Sequence, residues 1–169
     1  MSAGHHSHHR PSDTLDAELK RLMGDSRVKK LLARPYKVDF SYEMPLTGGS
    51  SDTWGTFYLD PGLKGRFRVG KERNVEVWRA VLEHEVVEKA LRMVFGMAYD
   101  RAHRLATTAE HHVVTDMGLD WEAYKALMER IVRRDERERP TVMPKGFDFG
   151  PLHASRGIKA LKGLKARAA

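Results

Sequence analysis

The sequence predicts an α+β domain in which a small antiparallel sheet packs against a helical bundle. Three observations carry that expectation. Tyr36, Val38, Phe40 and Tyr42 alternate with Lys37, Asp39, Ser41 and Glu43, the period of two that marks a half-buried strand. A second apolar run, WGTFYL at 54–59, ends at Asp60-Pro61-Gly62, a strand followed by a stop. From Val75 onward the apolar spacing changes to the helical period of 3.6 and keeps it through three segments. Helix, sheet, then helices is the order of an α+β domain.

Residues 1–11 are polar and His-rich, a composition that predicts a disordered arm. His5, His6, His8 and His9 are able to hold a metal loosely, but a solvated arm or a purification tag is the better reading. Ser12 or Asp13 caps a first helix running to about Met23. Asp25 or Ser26 caps a short second one, RVKKLLAR, which Pro35 stops. After the strand at 36–42, LTGGSSD has the composition of a loop. RFRV at 66–69 reads as a third short strand. One helix is expected over 75–95, broken by Gly96, and another over 99–117, ended by Gly118. A third starts from an Asp120 cap and sets Trp121, Tyr124, Leu127, Met128 and Ile131 on one face. The chain beyond Pro140 reads as extended, TVMPKGFDFGPLH, and then basic. The expected organisation is thus a single domain over 12–150, with a basic tail at 151–169.

No apolar run approaches the length of a transmembrane span, and the N-terminus lacks the apolar core of a signal peptide. The absence of cysteine excludes disulfides and Cys-type zinc sites and fits a cytoplasmic location. Any metal must be held by His, Asp and Glu. The net charge is +7, from 30 basic and 23 acidic side chains. Arg156, Lys159, Lys162, Lys165 and Arg167 supply five of these charges without one acid among the last fifteen residues. Nucleic-acid contact is therefore expected only through that tail, and a solvated tail is the simpler reading.

The chemistry lies on the two central helices. One face of the first carries Val77, Ala80, Val81, His84, Val87, Glu88, Leu91, Val94 and Phe95. Seven of these nine are apolar; His84 and Glu88 interrupt the stripe one turn apart. The opposite side, with Glu76, Arg79, Glu83, Lys89 and Arg92, reads as solvent-facing. The second helix repeats the pattern: Tyr99, Ala102, His103, Ala106, Ala109, Glu110, Val113 and Met117. His103 and Glu110 are two turns apart on that face, and three alanines allow close approach of a neighbour.

Burying such groups costs several kcal/mol unless they are paired or bind a metal. A divalent cation between the helices satisfies all four. Zinc accepts His and Glu ligands, and His84, Glu88 and His103 make a two-His, one-Glu set; another divalent metal would also fit. Glu85 lies about 100° round the helix from His84, at the edge of the stripe. It has the position of a general base beside a metal. Glu110 is equally placed as a fourth ligand or as the acceptor holding His103 in one tautomer. The alternative is metal-free, with His84–Glu110 and His103–Glu88 as two buried pairs that serve packing alone. His111 and His112 fall on the helix flank. A ferritin-like dinuclear centre is disfavoured, because Val113 stands where a Glu110-x-x-His motif would need its histidine.

Two strands, a helix with His84-Glu85-x-x-Glu88 and a second helix with a further ligand resemble a minimal zincin metallopeptidase over residues 36–117. The departure is Glu88, where the family motif H-E-x-x-H has its second histidine. The resemblance implies His84 as first ligand, Glu85 as base, Glu88 in place of the second histidine and His103 as downstream ligand. It also implies a peptide substrate held by backbone pairing along the strand at 54–59. The runs HEVVEKAL, YDRAHRLATTAEHHVV and MPKGFDFGPLH are also similar to small uncharacterised proteins of phages, prophages and proteobacteria, which bring no established activity. The functions in competition are a zinc-dependent, peptidase-like hydrolase and a binding or regulatory module with a closed structural metal site.

Overall fold

A computed structural model describes residues 11–44, 47–135 and 143–151. The His-rich arm before Pro11 and the basic tail from Leu152 on lie outside them, as does His153.

The chain begins with α1 (Pro11–Met23) and α2 (Ser26–Leu32). Asp25 caps α2, its carboxylate accepting from the Arg27 backbone N–H at 2.8 Å. Strands β1 (Lys37–Asp39), β2 (Gly48–Ser50) and β3 (Thr56–Leu59) follow. After a 3-10 turn at Pro61–Lys64 come β4 (Phe67–Val69) and β5 (Glu72–Val75), then α3 (Trp78–Phe95), α4 (Tyr99–Asp116) and α5 (Trp121–Asp135). Gly96 ends α3 in the left-handed conformation, at φ 60°, which costs glycine nothing. Asp120 caps α5 through the Ala123 N–H, at 2.8 Å.

The main sheet has the order β1-β3-β2 and is mixed, not antiparallel: β1 runs parallel to β3 and β2 antiparallel to it. This placement corrects two expectations. The Gly-Gly-Ser segment is strand β2, not loop. And the strand within 54–59 is central, with Val38 and Ser50 both in register with Phe57. Both of its edges are used, so no substrate peptide can add to it. β4 and β5 form a separate antiparallel ribbon, and Val75, assigned from sequence to the helix, ends it.

The glycines of β2 have steric reasons. A Cβ on Gly49 would lie 2.5 Å from the Phe147 ring, and one on Gly48 would lie 2.8 Å from Glu85 Oε1. The segment around Phe147 crosses the outer edge of β2, where Asp148 N–H donates to Ser50 O and Asp52 N–H donates to Gly146 O.

Helix α3 is the axis of the fold. Val77, Ala80 and Val81 join the sheet and α5 in one core cluster; Val87 and Leu91 join α1 and α4 in a second. Val86 and Ala90 join α2, Trp54 and Phe57 in a third. Each buried Val or Leu side chain among these contributes about 1.5–3 kcal/mol. Because α3 is covered on several sides, its expected solvent face is only partly free. Ala102, Ala106 and Ala109 are buried against it, as their size allows, and α3–α4 is the most extensive helix pair. No helix among the described residues is long and apolar enough to cross a membrane.

Candidate metal centre

The close α3–α4 packing brings four of the expected groups together. His84 and Glu88 rise one turn apart from α3 and are buried, at 8% and 5% exposure. His103 comes from α4 and keeps 45% of its side chain exposed. Three atoms converge: His84 Nε2 lies 2.9 Å from His103 Nδ1 and 3.6 Å from Glu88 Oε2, and the last two are 3.1 Å apart. Among the described residues this is the group of His and acidic side chains whose donor atoms gather tightly enough to hold an ion.

Glu110 is elsewhere. Its Oε2 accepts from His84 Nδ1 at 2.9 Å and its Oε1 accepts from the Tyr124 hydroxyl at 2.6 Å. The two nitrogens of an imidazole point away from each other, so a carboxylate on Nδ1 cannot also reach an ion on Nε2. Glu110 thus stands outside the three gathered donors, and the histidine it orients is His84, not His103 as expected. Its bond fixes the orientation of the His84 ring, so that Nε2 faces His103 and Glu88.

Glu85 lines the same cleft, facing Gly48 of β2. The cleft has a volume of about 210 Å³ and is walled on its apolar side by Val81, Met128, Val132 and Phe147. Tyr99 stacks on His103, with ring centroids 5.2 Å apart, and its hydroxyl is 3.4 Å from Nδ1. His111 is not part of the site; it packs on Trp121 at 4.5 Å. His112 pairs with Asp16 of α1 at 2.7 Å.

The electrostatics follow from burial set against charge. Desolvation alone would depress His84, but its bonds to Glu110 and Glu88, reinforced by their charges, raise it to about 10. Burial pushes Glu85 up to about 8, aided by the Glu88 charge and opposed by His84. Burial would also raise Glu88, yet the bonds to His103 and His84 bring it below its ordinary value. Tyr99 is raised by burial and by the neighbouring Glu88 and Glu85. Burial, the Glu110 charge and donation to Glu110 raise Tyr124 as well. Both phenols stay protonated as donors.

Sequence reasoning missed the polar support beside this centre. Lys89, expected in solvent, is 4% exposed; its ammonium donates to Asp148 Oδ2 at 2.9 Å and to the Asp52 carbonyl at 3.1 Å. Arg92 Nη1 donates to the same Asp148 oxygen at 3.0 Å and lies 3.8 Å from Glu88 Oε1. The clamp draws the 143–151 segment onto α3. A Lys and an Arg three residues apart were legible as a pair of charges, but their acid lies 59 and 56 residues away.

Comparison with known proteins returns no match: no family model fits the sequence, and no curated protein or solved structure is significantly similar to it.

Proposed function

We propose that this chain is a zinc-dependent hydrolase, peptidase-like and related in its site logic to the zincins, with His84, Glu88 and His103 as the metal ligands. One observation carries the reading. Ligand atoms about 2.1 Å from a tetrahedral ion stand roughly 3.4 Å apart; here the three separations are 2.9, 3.1 and 3.6 Å. Two separate His–Glu pairs do not need all three donor atoms to gather around one point, whereas ligands that share an ion do. The donor set, two imidazoles and a carboxylate, suits zinc; other divalent ions that accept nitrogen and oxygen are the alternatives.

Such an ion supplies Lewis acidity, polarising a carbonyl and making water a better nucleophile. The chain's own residues do the rest. Glu110 fixes His84 through Nδ1. Glu85, on the cleft wall, takes the proton from the attacking water and returns it to the leaving group. Its elevated pKa suits a group that both accepts and gives a proton near neutrality. Tyr99, a protonated donor beside His103, would hold the oxygen that gains charge. The half-exposed His103 and the adjoining cleft favour an open site over a closed structural one. A peptide substrate would have to use the cleft itself or the Gly48 end of β2.

A second reading has its own observation. The pairs His84–Glu110 and His103–Glu88 are both present, at 2.9 and 3.1 Å, and a single proton shared at the centre would satisfy them without metal. Metal analysis of the full chain with His5, His6, His8 and His9 changed to Ser separates the two. One equivalent of zinc, lost in His84→Ala and His103→Ala, supports the centre; none in the parent overturns it. Glu85→Gln should keep the metal and abolish hydrolysis of a quenched-fluorophore peptide library. Undiminished hydrolysis would remove Glu85 from its role.

A further inference from the structure

Without the five basic residues of the tail the chain sums to only 25 − 23 = +2, yet one element of the described domain gathers positive charge. The β4–β5 ribbon turns through Gly70 and Lys71, with Val69 opposite Glu72 and Gly70 at φ 58°. Phe67, Val69 and Val75 face the core. Arg66 and Arg68 alternate with them and therefore stand on the other face; both are exposed, as are Lys71 and Arg73. Arg66 is engaged, bonding the Asn74 carbonyl at 3.2 Å and Glu76 at 2.8 Å. Among the described residues Arg68 bonds only the Gly70 carbonyl, at 3.0 Å through Nε, and its outer guanidinium nitrogens have no partner there. Among the described residues Lys71 and Arg73 have no acidic partner. Glu72 is the single acid within the ribbon.

The register shifts by one residue between the Phe67 and Val69 pairings, and Asn74 adopts φ 60° there. A bulge of this kind increases the right-handed twist of a ribbon. Twisted two-stranded ribbons fit the major groove of a duplex. Three of the four ribbon cations are arginines, whose planar forks match phosphate oxygens. The exposed tip is Gly-Lys, with no apolar side chain to enter a lipid interface, whereas surface-bound membrane elements carry one.

We propose that the β4–β5 ribbon is a phosphate-contacting surface for double-stranded nucleic acid, with Arg68, Lys71 and Arg73 as its free contacts. This is independent of the metal centre. It also moves the expected contact from the basic tail to the folded domain.

The test is fluorescence anisotropy of the full chain on a labelled duplex of about two helical turns, titrated between about 50 and 200 mM salt. The variant R68Q/K71Q/R73Q should bind at least about tenfold more weakly at the low-salt end, with a log–log salt slope shallower by roughly 2–3. The tail variant K159Q/K162Q/K165Q should keep the ribbon-dependent part of the slope. The three ribbon residues are exposed, so melting temperatures should match the parent; should the triple variant unfold, K71E carries the same test. The proposal is overturned by a parent chain that does not bind the duplex, by an unchanged ribbon variant, or by a loss seen only in the tail variant. It is equally overturned by ribbon-dependent binding to phosphatidylserine vesicles without duplex binding.

Discussion

Glu88 and Glu110 should behave differently, and the difference can be worked out beforehand. Glu88 places Oε2 3.1 and 3.6 Å from the two histidine nitrogens, whereas Glu110 touches only the far nitrogen of His84. Zinc held by four protein ligands in a structural site is bound by about 10–16 kcal/mol, or about 2.5–4 kcal/mol for each ligand. Glu88→Gln should therefore weaken zinc binding by roughly 100- to 1000-fold, at about 1.4 kcal/mol per tenfold. An acceptor behind a ligand histidine is worth only about 10- to 100-fold. Glu110→Gln should fall in that lower range and still bind one equivalent. Glutamine keeps one acceptor oxygen but turns its amide towards either His84 or Tyr124, so one of the two bonds is lost. Competition against a chromophoric chelator at fixed pH measures both variants. Equal losses would refute the separation of roles, and parental affinity in Glu88→Gln would refute the ligand set itself.

Other outcomes follow from the same contacts. His84 is held protonated up to about pH 10 in the metal-free chain, and a ligand nitrogen must be unprotonated. Zinc affinity should then rise about tenfold per pH unit between pH 6 and 8, with one proton released per ion, as calorimetry in buffers of different ionisation enthalpy reads directly. An affinity flat over that range would contradict the His84 assignment. Asp148→Ala leaves Lys89 buried without its acid and should cost about 3 kcal/mol in urea unfolding. The Asp148 carboxyl is held below its ordinary value: burial would raise it, but Lys89, the Gly150 N–H and Arg92 outweigh that. Its contribution is therefore present above the unfolded carboxyl pKa and disappears as pH falls through the folded one. Gly49→Ala should cost about 1–3 kcal/mol, because the added carbon meets the Phe147 ring at 2.5 Å; an unchanged melting temperature would show that the ring moves freely.

What the sequence determined by itself are the features governed by near neighbours. Asp25 and Asp120 act as caps and Gly96 as a stop because each acts on a backbone group a few residues away. His84 and Glu88, and again His103 and Glu110, share a helix face because 3.6 residues make a turn; that alone was enough to expect them to meet. Three other features came only from tertiary structure. Gly48-Gly49-Ser50 has the composition of a turn, yet it is a strand because it pairs with β3, and its glycines leave the space that Glu85 and Phe147 fill. Lys89 sits on a helix flank that sequence assigns to water, and it is buried because a distant carboxylate, Asp148, folds over it. Glu110 was expected as a ligand or as the support of His103, and packing set it against Nδ1 of His84 instead. Periodicity records only which side of an element a residue takes. Which atom meets which is set when elements far apart in the chain close on one another.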